Sequence, residues 1–96
     1  MSTLESLKAR RSEILQLAER HGARRLRIFG SVARGEDRPS SDIDLLIQLD
    51  TDRSLLDHIA LVQDLEELLG RRVEIVTERA LNPAIRDQVL AEANPL

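Results

Sequence analysis

The stretch of sequence that decides the fold is residues 30–45, which read GSVARGEDRPSSDIDL. A short apolar segment leads into Gly30-Ser31, and a brief helical segment follows, which Gly35 can end. Residues 36–41 are polar and rich in loop formers. From Asp42 onward, apolar and polar residues alternate, which predicts a strand. The stretch therefore predicts a strand, a brief helix, a loop and a second strand, with a Gly-Ser pair and an Asp-x-Asp pair at the junctions.

Apolar periodicity on either side of residues 30–45 predicts the other elements. Helices are indicated where apolar residues recur every three or four positions, and strands where they alternate with polar ones. In chain order, the predicted segments are an interrupted helix between Ser2 and His21, a strand over 26–29, a brief helix over 32–34, a strand over 42–49, a helix between Ser54 and Gly70, a strand over 72–77 and a helix that opens at Asn82-Pro83. The order is α-β-α-β-α-β-α in one domain, residues 1–96, and the fold class is α/β (α+β).

The composition restricts the classes of function. Ninety-six residues, 42% of them hydrophobic, suffice for one modest core, which is almost wholly aliphatic because Phe29 is the only aromatic residue. The chain has no cysteine, which excludes disulfides and thiolate metal sites. No run approaches the ~18 apolar residues of a membrane span, and the N-terminal segment lacks the apolar stretch of a signal peptide. We therefore expect a cytoplasmic protein with no membrane partner.

The net charge argues against one class of partner. Seventeen acidic residues outnumber 14 basic ones, for a net charge of −3. The molecule as a whole therefore has no positive field that would attract a long nucleic acid.

Asp42 and Asp44 are the first candidate site residues. Alternate residues of a strand project from the same face, so their α-carbons lie ~6.5–7 Å apart on one side of the sheet. Carboxylates this close repel each other unless cations lie between them. Hard oxygen ligands suit Mg²⁺ or Mn²⁺, and two such ions can hold the attacking and leaving oxygens of a phosphoryl transfer. The alternative is that both residues form only the solvated start of a strand.

Glu74 is the candidate for the third carboxylate that a two-metal site usually needs. It lies between apolar Val73 and Ile75, so it points to the opposite face of its strand. The helix before it is long enough to return strand three parallel to strand two, which brings Glu74 close to the Asp-x-Asp pair. The alternative is an ordinary surface glutamate, in which case Glu78, at the end of the same strand, is the next candidate.

Gly30 and Ser31 are candidates for binding phosphate. Glycine lets a phosphate approach the backbone, and free amides at the start of a helix favour an anion. The Ser31 hydroxyl adds a hydrogen bond, and Arg34, one turn further, is placed to bind a phosphate with two N–H groups. Ser41 is a further candidate for nucleotide binding. The alternatives are that Arg34 pairs with Glu36 or Asp37 on the surface, and that Ser41 only shapes the loop.

The two motifs together resemble a known family. Gly30-Ser31-Val32-Ala33-Arg34-Gly35 with Ser41-Asp42-Ile43-Asp44-Leu45 is similar to the DNA polymerase beta-like nucleotidyltransferase superfamily, and within it to the minimal nucleotidyltransferases (MNT). The resemblance implies a small mixed three-stranded sheet flanked by helices. It also implies triphosphate contacts at Gly30 and Ser31 and metal binding at Asp42, Asp44 and the third acidic position. That position is typically Asp in the family, and here it is Glu74.

The resemblance also implies a function. MNT proteins pair with HEPN-domain proteins, often ribonuclease toxins, so the chain is expected to be an antitoxin that transfers AMP from ATP to a toxin side chain, a tyrosine hydroxyl. Two Mg²⁺ ions, or Mn²⁺, would assist the transfer, with Glu74 on the catalytic metal and able to help deprotonate the acceptor. One alternative is a binding module that neutralises its partner by occlusion. Another is transfer to a small molecule or to an RNA end.

Overall fold

The computed structural model describes residues 2–96. The helices are α1 (Thr3–Ala9), α2 (Arg11–Arg20), α3 (Gly30–Arg34), α4 (Leu55–Leu69) and α5 (Pro83–Glu92), with a short 3-10 turn at Glu78–Ala80. The strands are β1 (Ala23–Phe29), β2 (Ile43–Leu49), β3 (Val73–Thr77) and β4 (Asn94–Pro95). None of the helices in residues 2–96 is long and apolar enough to cross a membrane.

Local signals start the helices at the predicted positions. The Ser54 hydroxyl accepts from the amide of Leu56, while the Asp57 carboxylate accepts from the amide of Ser54, which forms a capping box. The Asn82 side chain accepts from the amide of Ala84 at 2.9 Å, with Pro83 at the first helical position. These caps satisfy amides that have no partner inside the helix, so α4 and α5 begin where such a residue stands.

The four strands form one mixed sheet in the order β3-β2-β1-β4. β2 is one of the two interior strands, antiparallel to β1 and parallel to β3, as expected for a crossover through α4. The mixed α/β architecture is therefore confirmed, but the prediction of three strands is wrong by one. β4 is a two-residue strand that pairs with Arg27 and Ile28 of β1. Two residues are too short to show an alternating pattern, so only the tertiary structure reveals this strand.

The N-terminal helical segment is divided into two helices. Arg10 stands between α1 and α2 with φ −105° and ψ 21°, outside the helical range. Its guanidinium donates to the carbonyl of Leu68 at the end of α4, at 2.8 Å. The break thus coincides with a contact to a distant segment, which the local sequence does not show.

Apolar side chains pack on both faces of the sheet. The larger cluster lies between α1, α2, α4 and one face, and its fully buried members include Ile14, Ile28, Ile43, Ile47, Leu61 and Leu65. The smaller cluster lies under α5 on the other face, where Leu46, Leu81 and Val89 are packed with Phe29 and Val76. The β2 strand therefore contributes to both cores. On its second face, polar residues occur only near the two ends of the strand.

We predict that the core face of α4 provides much of the stability. Leu61 is 0% exposed, so Leu61→Ala should lower the free energy of unfolding by about 2–5 kcal/mol. Leu56 on the same helix is 77% exposed, and Leu56→Ala should change it by less than about 0.5 kcal/mol. Urea denaturation of the three proteins measures both effects. Equal losses in the two variants would contradict this assignment of the core.

Candidate active site

The sheet register brings two of the predicted carboxylates side by side. Asp44 of β2 is paired with Glu74 of β3 on one side and with Phe29 of β1 on the other. Residues paired across adjacent strands project from the same face, with backbones ~4.8 Å apart. Asp44 and Glu74 therefore lie next to each other on the face that α5 only partly covers.

Asp42 lies at the margin of this pair. The strand starts at Ile43, one residue later than predicted, so Asp42 is the last residue of the loop. Its side chain is 40% exposed, and its nearest cation is the Arg72 guanidinium at 3.9 Å, too far for a hydrogen bond. The carboxylate is thus accessible and free of a tight ion pair.

The environment of Asp44 disfavours its negative charge. Burial is the largest cause, followed by the charge of Glu74 and a hydrogen bond with it, and then by Asp42 and Glu92, and together they raise the pKa of Asp44 from 3.8 to about 6. Among residues 2–96, neither Asp44 nor Glu74 forms an ion pair with Lys or Arg. The Asp44–Glu74 pair therefore has no basic side chain to offset its negative charge.

Gly30 is required by the position of Asp44. Its backbone has φ +74°, and a β-carbon built on it would overlap the Asp44 carboxylate. Glycine avoids both problems because it tolerates positive φ and has no side chain. The Gly-Ser motif and the Asp-x-Asp motif are thus in direct contact, with Gly30 making room for Asp44.

Ser31 lies in the first turn of α3, beside this contact. The residue before the helix, Phe29, supplies no side-chain cap to the first amides of α3. Ser31 is partly buried, and it directly follows Gly30, which approaches the Asp44 carboxylate. The structure brings Gly30, Ser31, Asp42, Asp44 and Glu74 to one end of the sheet.

Arg34 and Ser41 have other partners in this structure. Arg34 donates to Glu36 at 3.1 Å and also pairs with Glu92 of α5. In this structure Arg34 therefore forms the surface pair with Glu36 that was the alternative to phosphate binding. The Ser41 hydroxyl accepts from the amide of Arg38 at 2.9 Å, which is the loop-shaping role. Neither residue contacts the carboxylate pair through these bonds.

Glu92 is a site residue that the sequence did not single out. It lies at the end of α5, its side chain is 18% exposed, and it contributes to the raised pKa of Asp44. No local signal distinguishes it from the other surface glutamates, because only the packing of α5 against α3 brings it to the site.

Glu78 is excluded as the alternative third carboxylate. It follows β3 at the opposite end of the sheet from Asp44 and pairs with the buried Arg27 guanidinium at 2.8 Å. Its hydrogen bond with Gln48, and then that with Arg27, hold the pKa of Glu78 below its usual value. This carboxylate is already neutralised by a structural ion pair.

The donor set fits a hard divalent cation. Asp42, Asp44 and Glu74 offer carboxylate oxygens, the ligands that Mg²⁺ and Mn²⁺ prefer. In the part of the chain that the structure describes, no group of three or more His, Cys, Asp or Glu side chains is arranged so that it could hold a metal ion, so the fit is one of donor chemistry and not of the present side-chain geometry. The raised pKa of Asp44 is the observation that supports the fit, because a cation there would supply the missing positive charge.

We predict that Gly30→Ala is more harmful than the matched change Gly35→Ala. Both glycines have positive φ, +74° and +72°, so both substitutions cost about 1 kcal/mol in backbone strain. A β-carbon at Gly35 meets nothing within 4 Å, whereas one at Gly30 displaces Asp44. Urea denaturation should show the larger loss for Gly30→Ala, and Asp44→Ala should restore part of it in the double variant. Equal losses for the two glycines would show that the contact with Asp44 is unimportant.

We predict that Asp44 makes the metal-free protein less stable as the pH rises. A folded pKa of about 6, above 3.8, means that the folded state binds more protons in this interval. The contribution of Asp44 is therefore fully present below pH 3.8 and is lost as the pH rises through about 6. Thermal melts in a chelator should show that Asp44→Asn gains stability relative to the wild type over this range. The test compares the two proteins because Glu78, whose pKa is lowered, contributes to the pH dependence of stability with the opposite sign. This contribution is present in both proteins and cancels in the difference.

Comparison with known proteins identifies the family. Residues 11–94 match the family described as the nucleotidyltransferase domain. A solved structure of a protein assigned to the minimal nucleotidyltransferases has a TM-score of 0.88 and 58% sequence identity, over 100% of this chain and 97% of that one.

Two further proteins are similar. The protein adenylyltransferase MntA of Thermococcus cleftensis is 43% identical over 77 residues, which cover 80% of this chain and 78% of that protein. A solved toxin–antitoxin complex with AMP-PNP shares the fold at 22% identity, with a TM-score of 0.74 over 88% of this chain and 69% of the matched chain. Because the family match spans most of its residues, this chain belongs to the nucleotidyltransferase domain family and is one of its minimal members.

Proposed function

We propose that this chain is a metal-dependent protein adenylyltransferase that acts as an antitoxin. It would transfer AMP from ATP to a tyrosine hydroxyl of a partner HEPN-domain toxin. The observation that carries the proposal is the Asp44–Glu74 pair beside Gly30, a carboxylate cluster without its own cation next to a helix start. The 43% identity to a protein adenylyltransferase supports the choice of a protein as acceptor.

The reaction assigns a role to each part of the site. The acceptor oxygen forms a bond to the α-phosphorus of ATP, the bond from that phosphorus to the bridging oxygen breaks, and pyrophosphate leaves. Gly30 and Ser31 would hold the β and γ phosphates so that pyrophosphate departs in line with the attack. Divalent cations at Asp42, Asp44 and Glu74 would supply charge neutralisation of the triphosphate.

The proton of the acceptor hydroxyl needs a base nearby. Glu74 is exposed on its strand and adjacent to Asp44, so its carboxylate is placed at the open side of the cluster. A carboxylate within hydrogen-bond reach of the acceptor can take this proton. Glu74 is longer than the aspartate typical of the family, which extends its reach toward an acceptor on another protein.

The partner assignment rests on the relatives and on the surface of α4. The solved complex with AMP-PNP is a toxin–antitoxin pair with this fold, which supports a toxin as partner and an adenine nucleotide as substrate. Leu55 and Leu56 are 70% and 77% exposed at the start of α4. We take these leucines as the candidate contact for the partner, since apolar patches on a protein surface are where other proteins bind.

Neutralisation by occlusion is the second candidate, and one observation favours it. Arg34, the expected phosphate ligand, is held by Glu36 and Glu92. If ATP does not displace these carboxylates, nucleotide binding is weak and the chain inhibits its partner only by covering it. Label transfer separates the two candidates because only the enzyme leaves AMP on the toxin.

We predict Mg²⁺-dependent label transfer from α-³²P-labelled ATP to the partner HEPN-domain toxin. Asp42→Asn, Asp44→Asn and Glu74→Ala should each lower the rate by about 100-fold or more, since misplaced groups cost on this order. Melting temperatures should stay within a few degrees, because removing one carboxylate relieves repulsion. The control is Asp52→Asn, an exposed aspartate in the loop after β2, which should keep the full rate.

Two results would contradict parts of the proposal. Inhibition of the toxin without label transfer, in Mg²⁺ and in Mn²⁺, would establish occlusion instead. Full activity of Glu74→Ala with unchanged metal dependence would remove Glu74 from the site. Calorimetry adds a test without the partner: ATP affinity should rise sharply with Mg²⁺, and equal affinity in a chelator would refute metal-dependent binding.

A further inference from the structure

Arg71 lies next to the candidate site, and most of its side chain is buried. It stands between α4 and β3, and its side chain is 20% exposed. Its Nη2 donates to the carbonyls of Arg38 at 3.1 Å and Ser41 at 2.6 Å. Both acceptors belong to the loop of residues 36–41, and Ser41 immediately precedes Asp42. One guanidinium nitrogen therefore holds the end of the loop that leads into the site.

The other nitrogen of Arg71 holds the start of the same loop. Nη1 donates to the Asp37 carboxylate at 3.3 Å and to the Thr3 hydroxyl at 3.0 Å. Thr3 in turn donates to the same Asp37 oxygen at 2.6 Å, which ties the loop to the first turn of α1. The hydrogen bond from Thr3, and after it that from Arg71, hold the pKa of Asp37 below its usual value, so the ion pair persists at neutral pH.

Asp42 is held through its neighbours. Ser41 is held by the Arg71 side chain, and the amide of Ile43 donates to the carbonyl of Arg72 at 2.9 Å. The Asp42 carboxylate itself has only the Arg72 guanidinium at 3.9 Å. Its location therefore depends on residues 71 and 72, which fix the backbone on each side of it.

We propose that Arg71 is a positioning residue that places the Asp42 carboxylate beside Asp44 and Glu74 by clamping the loop of residues 36–41. The inference rests on the proposed function, since Asp42 is a metal ligand there. The planar guanidinium reaches two carbonyls, a carboxylate and a hydroxyl at once, and the single ammonium of lysine cannot span them.

The test is the metal dependence of Arg71→Lys. A displaced Asp42 should raise the half-saturating Mg²⁺ concentration for label transfer by about 10-fold or more, as is usual when a residue that orients a ligand is changed. If the variant were only partly unfolded, the rate would fall by the same factor at every Mg²⁺ concentration. A shift in the half-saturating Mg²⁺ concentration therefore shows that the Asp42 carboxylate is displaced. Arg71→Ala should show a larger shift, and millimolar guanidinium should reverse part of it, because Arg71 borders open surface cavities.

The matched control is Arg10→Lys. Arg10 lines the same 220 Å³ cavity as Arg71 and also donates to a backbone carbonyl, that of Leu68. It makes no contact with the loop of residues 36–41 through its hydrogen bonds, so its half-saturating Mg²⁺ concentration should equal that of the wild type.

A measurement without catalysis separates the two proposals. Mn²⁺ binding to the nucleotide-free protein, followed by electron paramagnetic resonance, should weaken in Arg71→Lys and not in Arg10→Lys. Wild-type affinity for Mn²⁺ in Arg71→Lys and Arg71→Ala would overturn the positioning role and leave the proposed function standing. Tight Mn²⁺ binding by a wild type that transfers no label would overturn the proposed function, while the Arg71 variants would still decide the role of Arg71. A wild type that neither binds Mn²⁺ nor transfers label would overturn both.

Discussion

The contact between Gly30 and Asp44 is the constraint on which the rest of the site depends. The Asp44 carboxylate fills the space that a side chain at residue 30 would take, so the turn from β1 into α3 and the start of β2 are set against each other. Because β3 is in parallel register with β2, Glu74 stands beside the Asp44 that makes this contact. The absence of a β-carbon at residue 30 thus lets the Gly30-Ser31 turn contact the carboxylate cluster.

The sheet face that α5 partly covers has a different balance of charge at its two ends. At one end, Glu78 is paired with Arg27, whose side chain is only 9% exposed, and the charge of each offsets that of the other. At the other end, Asp44 and Glu74 are adjacent without a basic partner in the described residues, and the pKa of Asp44 rises to about 6. A partly buried carboxylate beside a second carboxylate is unfavourable for folding, and such an arrangement marks a candidate functional site.

The small size of the domain gives single elements more than one role. Helix α5 covers the second core with Val89 and Leu90, and its last residue, Glu92, pairs with Arg34 close to the site. The segment before β3 likewise joins α4 to the sheet and holds the loop before Asp42 through Arg71. Changes in packing at these elements therefore reach the site directly, without an intervening layer of structure.

Local chemistry in the sequence determined the helices, most of the strands and the motif that marks the site. Caps such as Ser54 and Asn82-Pro83 act on amides within about one helical turn, and alternation in β2 is set by its own backbone, so both can be recognised without the rest of the chain. The proximity of Gly30-Ser31, Asp42, Asp44 and Glu74 followed from a parallel crossover.

Only the tertiary structure decided the partners of the charged residues. Arg34 with Glu92, Arg27 with Glu78, and Arg71 with the loop before Asp42 are contacts between distant segments. A charged residue has the same sequence pattern whether it is solvated, paired or bound to a ligand, because that difference depends on what the fold places opposite it.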